Sequence, residues 1–253
     1  MRFTKISLLC LLLFTNPLSS SHKPKALVLT YPRSGTHWFM HCANYLLREP
    51  KTNKIQDCKI SNLMHFHSIE SMEKVRKKPW KQLIDPESDY LILILRNYRE
   101  SMLRHYQGDY NRVISHLEDD SNDPLQLSFF SNLQHFDEWP EKRKILIYYE
   151  DLLQFPKREL GRFIRFLNAP WTRYNNFIKD IEKHKQKTIN LYNQGAIKRK
   201  IKTPGSQSEG KDFLYHSKKV PQEYLHQMDF LAKERAPNLY DKYLLRYKTK
   251  PND

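Results

Sequence analysis

The residues best suited to chemistry form a short run of hydroxyl, glycine and cationic residues near the start of the chain. We define the first motif as Thr30 to Trp38, which reads TYPRSGTHW. It follows Ala26 to Thr30, an apolar segment typical of a buried strand, and leads into a helical pattern from Thr36 to Arg48. A turn between a strand and a helix N-terminus gathers backbone N–H groups, and the helix dipole favours an anion there.

Four residues of the first motif suit a phosphate or sulfate ester. Gly35 lets the backbone come close to a ligand. Ser34 and Thr36 supply hydroxyl donors, and Arg33 supplies a planar cation that can hold two oxygens at once. The motif is not a Walker A loop, because a second glycine and the lysine are missing. We therefore predict an anion-binding loop, with an ordinary strand–turn–helix corner as the alternative.

Two histidines farther along the chain are candidate general bases. His65 and His67 stand in the segment MHFHS, and their spacing puts both rings on one face if the segment is a strand. A histidine titrates near neutral pH, so it can take a proton from an attacking hydroxyl. The pair could also be structural or hold a metal, although no obvious third ligand accompanies it. We favour His67 as the base because it lies nearer the end of the apolar segment.

Another cationic group follows the most apolar segment of the chain. Tyr90 to Leu95 reads YLILIL, as expected of a strand buried on both faces, and Arg96 comes directly after it. Ligands of α/β folds bind at the carboxyl ends of the strands, so Arg96 is expected at that edge. Ser101 and Arg104 follow and could share one helical face. A solvated, basic start of a helix is the alternative.

These residues need a scaffold that brings strand ends together. Lys144 to Tyr149 (KILIYY) reads as another buried strand, and Glu159 to Leu167 has apolar residues at helical spacing. Strands that alternate with helices predict an α/β fold, a single domain with a central parallel β-sheet flanked by helices. Further helices are expected at Leu127 to Trp139 and Gln222 to Lys233, and mobile stretches at Gln107 to Pro124 and Lys187 to Asp212.

Three segments together resemble the PAPS-dependent sulfotransferase family. The first motif is similar to the family's YPKSGTTW loop, which holds the 5′-phosphosulfate of the donor. A second motif, Leu95 to Tyr106 (LRNYRESMLRHY), is similar to RNPRDVxxSYY, which holds the 3′-phosphate. A third motif, Tyr148 to Leu153 (YYEDLL), is followed by Pro156 to Glu159 and is similar to the family's YEDL…P..E. The resemblance runs from about Ala26 to Asn168 and implies a P-loop-nucleotide-hydrolase-like sulfotransferase fold.

The same resemblance implies a reaction and a set of site residues. The reaction is transfer of the sulfonate of PAPS to a hydroxyl, with PAP as product and without a metal. Trp38 would stack on the adenine and Tyr149 would border it. The family's serine eight residues after Arg96 is replaced here by Arg104, so Ser101 or Arg104 would supply that contact. The implied cofactor-binding set is Arg33, Ser34, Gly35, Thr36, His37, Trp38, Arg96, Ser101, Arg104 and Tyr149.

The implied catalytic residues are His67 or His65 as general base, and Arg33. Arg33 stands where cytosolic members carry a lysine that assists the leaving group. An arginine can hold the bridging and terminal oxygens but should not donate its proton at neutral pH. Toward the C-terminus, Gly210 to Asp212 loosely resembles the family's loop over the 3′-phosphate.

Composition restricts the partners. The 253 residues include 43 Lys and Arg against 28 Asp and Glu, and the formal net charge of +15 predicts an anionic partner. Three cysteines exclude a disulfide-scaffold mini-protein. The acceptor could be a glycan, a tyrosyl peptide or a small molecule, and no specific nucleic acid is expected. Two other classes stay open, a secreted basic protein that binds heparin-like or nucleic-acid polyanions without catalysis and a nucleotide kinase-like P-loop protein.

The N-terminus has the composition of a targeting segment. Met1 to Lys5 is basic, Ile6 to Phe14 is apolar, and Ser19 to Ser21 offers small residues for cleavage. This order predicts a secretory signal peptide over residues 1–21, a sulfotransferase domain over 22–253 and an exported protein without a transmembrane segment. An uncleaved anchor is the alternative. Cleavage would leave Cys42 and Cys58, either paired or as free thiols.

Overall fold

Four parallel strands carry the fold. The computed structural model describes residues 23–121, 123, 127–198 and 217–248. Its strands are β1 (Lys25–Thr30), β2 (Asn62–Phe66), β3 (Tyr90–Leu95) and β4 (Lys144–Tyr148). They form one sheet in the order β2-β1-β3-β4, and every neighbouring pair is parallel. All four strands therefore end at the same edge of the sheet.

Helices link the strands and cover both faces of the sheet. They are α1 (Thr36–Leu47), α2 (Ile69–Arg76), α3 (Tyr98–His105), α4 (Tyr110–Glu118), α5 (Phe129–Glu138), α6 (Tyr149–Gln154), α7 (Pro156–Leu167), α8 (Trp171–Lys179), α9 (Ile181–Lys198) and α10 (Gln222–Arg235). Short helical turns occupy Trp80–Gln82, Glu141–Arg143 and Ser217–Lys219. We call the turns from Pro237 to Tyr247 the C-terminal segment; its middle part, Tyr240–Leu244, is a π-helix.

Two hydrophobic cores lie on opposite faces of the sheet. Leu27, Leu29 and Leu93 belong to one core, with side chains of α2, α3, α4, α5 and α10. Val28 and Ile92 belong to the other, with side chains of α1, α7 and α8. Alternate residues of one strand feed opposite cores because successive side chains point to opposite faces. The predicted single α/β domain with a parallel sheet flanked by helices is thus confirmed.

The prediction of a mobile stretch at Gln107 to Pro124 was wrong for its middle part. Helix α4 occupies residues 110–118, because Val113 and Leu117 fall on one face and are buried in the core. The acidic residues that suggested a loop lie at and beyond its C-terminal end. The start of the other stretch was also wrong, since α9 continues to Lys198 and packs on α1 and α8.

Some predictions concern residues that the structure does not describe. Another prediction concerns the state of two cysteines. The signal peptide and Gly210 to Asp212 lie outside the part of the chain that the structure describes. Cys42 and Cys58 are both buried free thiols. Within the described ranges, no helix combines the length and hydrophobicity needed to cross a bilayer.

Candidate functional site

The backbone of the first motif forms a concave loop of amides. Arg33 and Gly35 both have left-handed backbone conformations, with φ of 69° and 86°, on either side of Ser34. The Ser34 N–H donates to the Tyr31 carbonyl at 3.1 Å and closes the turn. Left-handed φ is strained for a residue with a Cβ, so Arg33 stores backbone strain here. Successive amides in such a turn, together with the first amides of α1, form an anion-binding concavity.

The first and second motifs are joined by two contacts. Arg96 Nη1 donates to the Arg33 carbonyl at 3.0 Å, and the hydroxyl oxygens of Ser34 and Ser101 are 3.2 Å apart. Arg96 is 2% exposed, and both serines are fully buried. A buried guanidinium retains its charge, so the loop lies beside a fixed cation. The structure therefore brings Arg33, Ser34, Arg96 and Ser101 close to one another.

Tyr149 packs against both of these motifs from the end of β4. The Arg96 guanidinium lies 4.9 Å from the centre of its ring, a cation–π distance. A Cβ added to Gly35 would stand 2.0 Å from a carbon of the same ring. Only glycine fits this position, because any side chain would collide with the ring and the left-handed φ disfavours one as well.

The two histidines meet the first motif at Thr30, the last residue of β1. The Thr30 hydroxyl lies 2.7 Å from the Thr36 hydroxyl and 2.8 Å from His65 Nε2. His67 Nδ1 lies 2.8 Å from the Thr30 carbonyl oxygen, and the two imidazole rings are 5.0 Å apart. Both candidate bases thus share a face next to the anion-binding loop, as the alternating pattern predicted.

The contact with Thr30 fixes the protonation of His67. A carbonyl oxygen only accepts hydrogen bonds, so Nδ1 carries the proton and Nε2 of the neutral ring is left as a proton acceptor. The Asn132 amide donates to the His67 carbonyl at 2.7 Å and holds the backbone. Burial lowers the pKa of His67, and burial with the neighbouring His67 and His37 lowers the pKa of His65 to about 4. Both rings are therefore neutral at pH 7.

Three further residues of the predicted cofactor-binding set lie in surroundings that differ from those of Arg33, Ser34 and Arg96. Trp38 is buried between helices, with its ring 6.1 Å from those of His41 and Phe177. Arg104 Nε donates to the buried Glu100 carboxylate at 2.5 Å, whereas Ser101 contacts Ser34 of the loop. His37 is exposed at the start of α1.

A family model described as "Sulfotransferase domain" matches residues 23–247. The chain belongs to this sulfotransferase family. Among curated sulfotransferases, mouse (Mus musculus) sulfotransferase 1B1 is 24% identical over 171 residues, which cover 56% of this chain and 57% of the relative. Rat (Rattus norvegicus) sulfotransferase 1A1 is 25% identical over 171 residues, with coverage of 56% and 58%. The chain thus spans little more than half the length of the curated sulfotransferases it matches.

The sulfotransferase fold is also found in a solved structure. The crystal structure of mouse sulfotransferase SULT7A1 complexed with PAP superposes with a TM-score of 0.56 at 16% identity, covering 89% of this chain and 90% of that one. At this identity the likeness establishes the fold alone, and the chemistry has to be argued from the site.

Sequence reasoning missed three residues at the candidate site, of which Thr30 and Glu150 are the first two. Thr30 reads as the last residue of an apolar strand, yet its hydroxyl and carbonyl contact both histidines. Glu150, inside the third motif, accepts from the Asn97 backbone N–H and from the Tyr247 hydroxyl, each at 2.9 Å. The YED pattern was the available signal for Glu150, and its position beside Tyr149 makes it a support for Arg96.

His105 is a third missed residue. Its ring lies 5.9 Å from that of Tyr31, which precedes the anion-binding turn. Burial lowers the pKa of His105 to about 4; Asp123 opposes this shift, and His116 and Arg33 act in the same direction as burial. The sequence placed it in the second motif without suggesting that it packs against Tyr31.

Proposed function

We propose that this protein transfers the sulfonate group of PAPS to a hydroxyl acceptor. The observation that carries the proposal is the contact of buried Arg96 with the backbone of Arg33, supported by the Ser34–Ser101 contact. Two elements from different strand ends, each of which would bind an anion, are thereby in direct contact, as a donor with phosphate groups at two ends requires. Family membership favours this function over the kinase-like alternative.

The donor set fits PAPS at both ends. The turn amides, Ser34 and Arg33 would hold the phosphosulfate, and Arg96 with Ser101 would hold the 3′-phosphate. When bound, PAPS supplies an activated sulfonate on a phosphate leaving group. The purine contacts expected of Trp38 and Tyr149 stay predictions, because both rings are buried against protein.

In this proposal, residues of the chain accept the proton of the acceptor hydroxyl and stabilise the negative charge of the leaving phosphate. His67 accepts the proton of the acceptor hydroxyl at Nε2, since Nδ1 is committed to the Thr30 carbonyl. The lowered pKa keeps the ring neutral and ready to accept, and a bound anion raises its proton affinity. Arg33 and the turn amides stabilise the negative charge that builds on the leaving phosphate. His65 supports the same network through the Thr30 hydroxyl.

Calorimetric titration with PAP tests the donor site directly. Arg96→Ala should weaken PAP binding by about 2–5 kcal/mol, because it removes a buried, charge-assisted contact. Arg76→Ala, which removes an exposed cation from α2, should leave PAP affinity unchanged. Thermal denaturation checks that both variants fold, and Arg96→Lys should keep part of the affinity. A wild-type protein that ignores PAP, or an Arg96→Ala variant that binds it equally well, would refute the proposal.

The acceptor and the compartment belong to the same proposal. The net charge of +15 favours an acidic glycan or peptide as acceptor. It equally suits the non-catalytic polyanion binder, so transfer of labelled sulfonate to glycans, tyrosyl peptides and small alcohols is needed to separate the two. We also propose export through cleavage of residues 1–21, which N-terminal sequencing of the mature protein would test.

A further inference from the structure

A groove between α7 and α8 lies outside the candidate site and shares no residue with it. We call it the α7–α8 groove. It is an open depression of about 650 Å³, and its main lining residues are Phe155, Lys157, Arg158, Gly161, Arg165 and Trp171. It starts at the end of α6, the helix whose first residue is Tyr149 of the candidate site.

The charged residues that line this groove are all positive. Three of its lining residues are cationic, and none is a carboxylate. Arg158 pairs with Glu159 at 2.6 Å and lies 3.6 Å from Asp151. Lys157 and Arg165 are exposed, and neither has an ion-pair partner among the described residues. Helix α7 as a whole carries four cations and one buried carboxylate, so the groove attracts an anion.

Aromatic rings form the walls between these cations. Phe155 is 48% exposed and Trp171 is 43% exposed, although both are large and apolar. Arg158 lies 4.7 Å from the centre of the Phe155 ring, and Trp171 packs edge-on against Tyr174 at 4.9 Å. Gly161 has no side chain to separate the helices, and a Cβ there would be 3.8 Å from the Trp171 ring. Two large apolar side chains that stay nearly half-exposed beside cations mark a binding surface.

We propose that the α7–α8 groove binds an anionic polysaccharide, a glycan with sulfate or carboxylate groups on successive sugar units. Arg158 and Arg165 are two helical turns apart on one face of α7, about 10.5 Å along its axis. That separation matches the length of two linked pyranose rings, so each arginine meets an acidic group. The C–H face of a sugar between them packs on the Trp171 or Phe155 ring, as apolar surfaces do.

Two other polyanions fit the groove less well. Nucleic acid bases stack over an entire ring face, whereas the Phe155 ring is approached by the Arg158 guanidinium and the Trp171 ring meets Tyr174 edge-on. A membrane surface is met by aromatic residues that project from the protein, whereas these rings line a concave groove. The proposal concerns binding alone, so it holds whether or not the chain transfers sulfonate.

Binding of a size-defined heparin oligosaccharide to the full chain tests the groove. Trp171 is an exposed tryptophan of the groove, so its fluorescence should change on binding, and calorimetry should give the affinity. Arg165→Gln should weaken binding by about tenfold, as loss of one charge-assisted contact does. Trp171→Ala should weaken it by a similar factor. Lys179→Gln removes an equal charge from the exposed end of α8, away from the groove, and should change affinity less than twofold.

The competing outcomes are distinguishable. Equal losses in Arg165→Gln and Lys179→Gln would overturn the proposal, because attraction would then be diffuse. Stronger binding to single-stranded oligonucleotides or phosphatidylserine vesicles, with the same dependence on Arg165 and Trp171, would overturn it in favour of those partners. Retention of PAP binding in Arg165→Gln shows that the groove and the donor site are separate, so failure of one leaves the other standing.

Discussion

At the scale of single residues, Thr30 connects the two histidines of the candidate site to the first motif. Its hydroxyl contacts Thr36 and His65, and its carbonyl fixes the tautomer of His67. Arg96 and Ser101 could be predicted from the sequence, because a cation after a buried strand has an obvious position. Thr30 could not, because its importance comes from neighbours 6, 35 and 37 residues away.

His65 and His67 make different hydrogen bonds, so replacing each histidine should affect the rate of sulfonate transfer differently. His67→Gln should lower kcat for sulfonate transfer by about 10²–10⁴-fold, because the proton acceptor is gone. His65→Gln should lower it less, since that residue acts through the Thr30 hydroxyl. PAP affinity should change little in either variant. The measurement is transfer of labelled sulfonate, with calorimetry on PAP as the control; a larger kcat loss in His65→Gln would reverse the assignment.

At the scale of elements, α9 docks on α1 through a pair of neutral imidazoles. His41 Nε2 and His184 Nδ1 are 3.1 Å apart, and the His184 ring stacks on Phe177 with centres 4.3 Å apart. The charged composition after Lys187 suggested a mobile stretch, and propensity alone could not reveal this docking. Tertiary contacts of its first turns hold α9 in place, so its stability depends on the protonation of that pair.

Acidification should therefore loosen α9. Burial, the facing imidazole and Lys187 lower the pKa of His41; burial, Lys187 and Lys183 lower that of His184, opposed by Asp180. Each histidine thus binds protons less well in the folded state than at its ordinary value of 6.5. The contribution of these histidines to the docking free energy of α9 is at its maximum above pH 6.5. It decreases as the pH falls below 6.5, because the unfolded state binds protons at a higher pH than the folded state does.

Hydrogen exchange can detect this loosening. After correction for intrinsic rates, amides of α9 should exchange faster at pH 5.5 than at pH 7.5, while those of β3 should not. A His41→Gln, His184→Gln double variant should lose most of the pH dependence, since glutamine does not titrate. Unchanged protection of α9 across this range in the wild type would contradict the prediction.

At the scale of the whole molecule, the end of the chain supports two of the predicted motifs. Arg99 pairs with Asp229 at 3.1 Å in a largely buried contact, and the Tyr98 hydroxyl donates to the same carboxylate. Arg246 binds Asp151 through two hydrogen bonds of 2.9 and 3.1 Å. The sheet and the location of the site follow from local patterns. These contacts join residues 95 to 131 positions apart, and no local pattern specifies such pairs.

Removing one charge of the buried pair should destabilise the entire fold. Asp229→Asn should lower the free energy of unfolding by about 3 kcal/mol, because Arg99 loses its buried counter-charge. Asp241→Asn is the matched control, since that carboxylate is exposed and lies 3.9 Å from Lys233, and it should cost less than 1 kcal/mol. Denaturant titration gives both values. Equal losses in the two variants would mean that the C-terminal contacts are unimportant.

The strand order also divides the chemistry spatially. His65 lies in β2 and His67 follows it, the amide loop follows β1, Arg96 follows β3 and Tyr149 follows β4, so the candidate site residues lie side by side along one edge of the sheet. Strands β1 and β3 are flanked on both sides, whereas β2 pairs only with β1 among the described residues. Under the proposed function, substitutions at β2 can change the acceptor preference during evolution. The donor-binding residues that follow β1 and β3 stay unchanged, because these strands have neighbours on both sides.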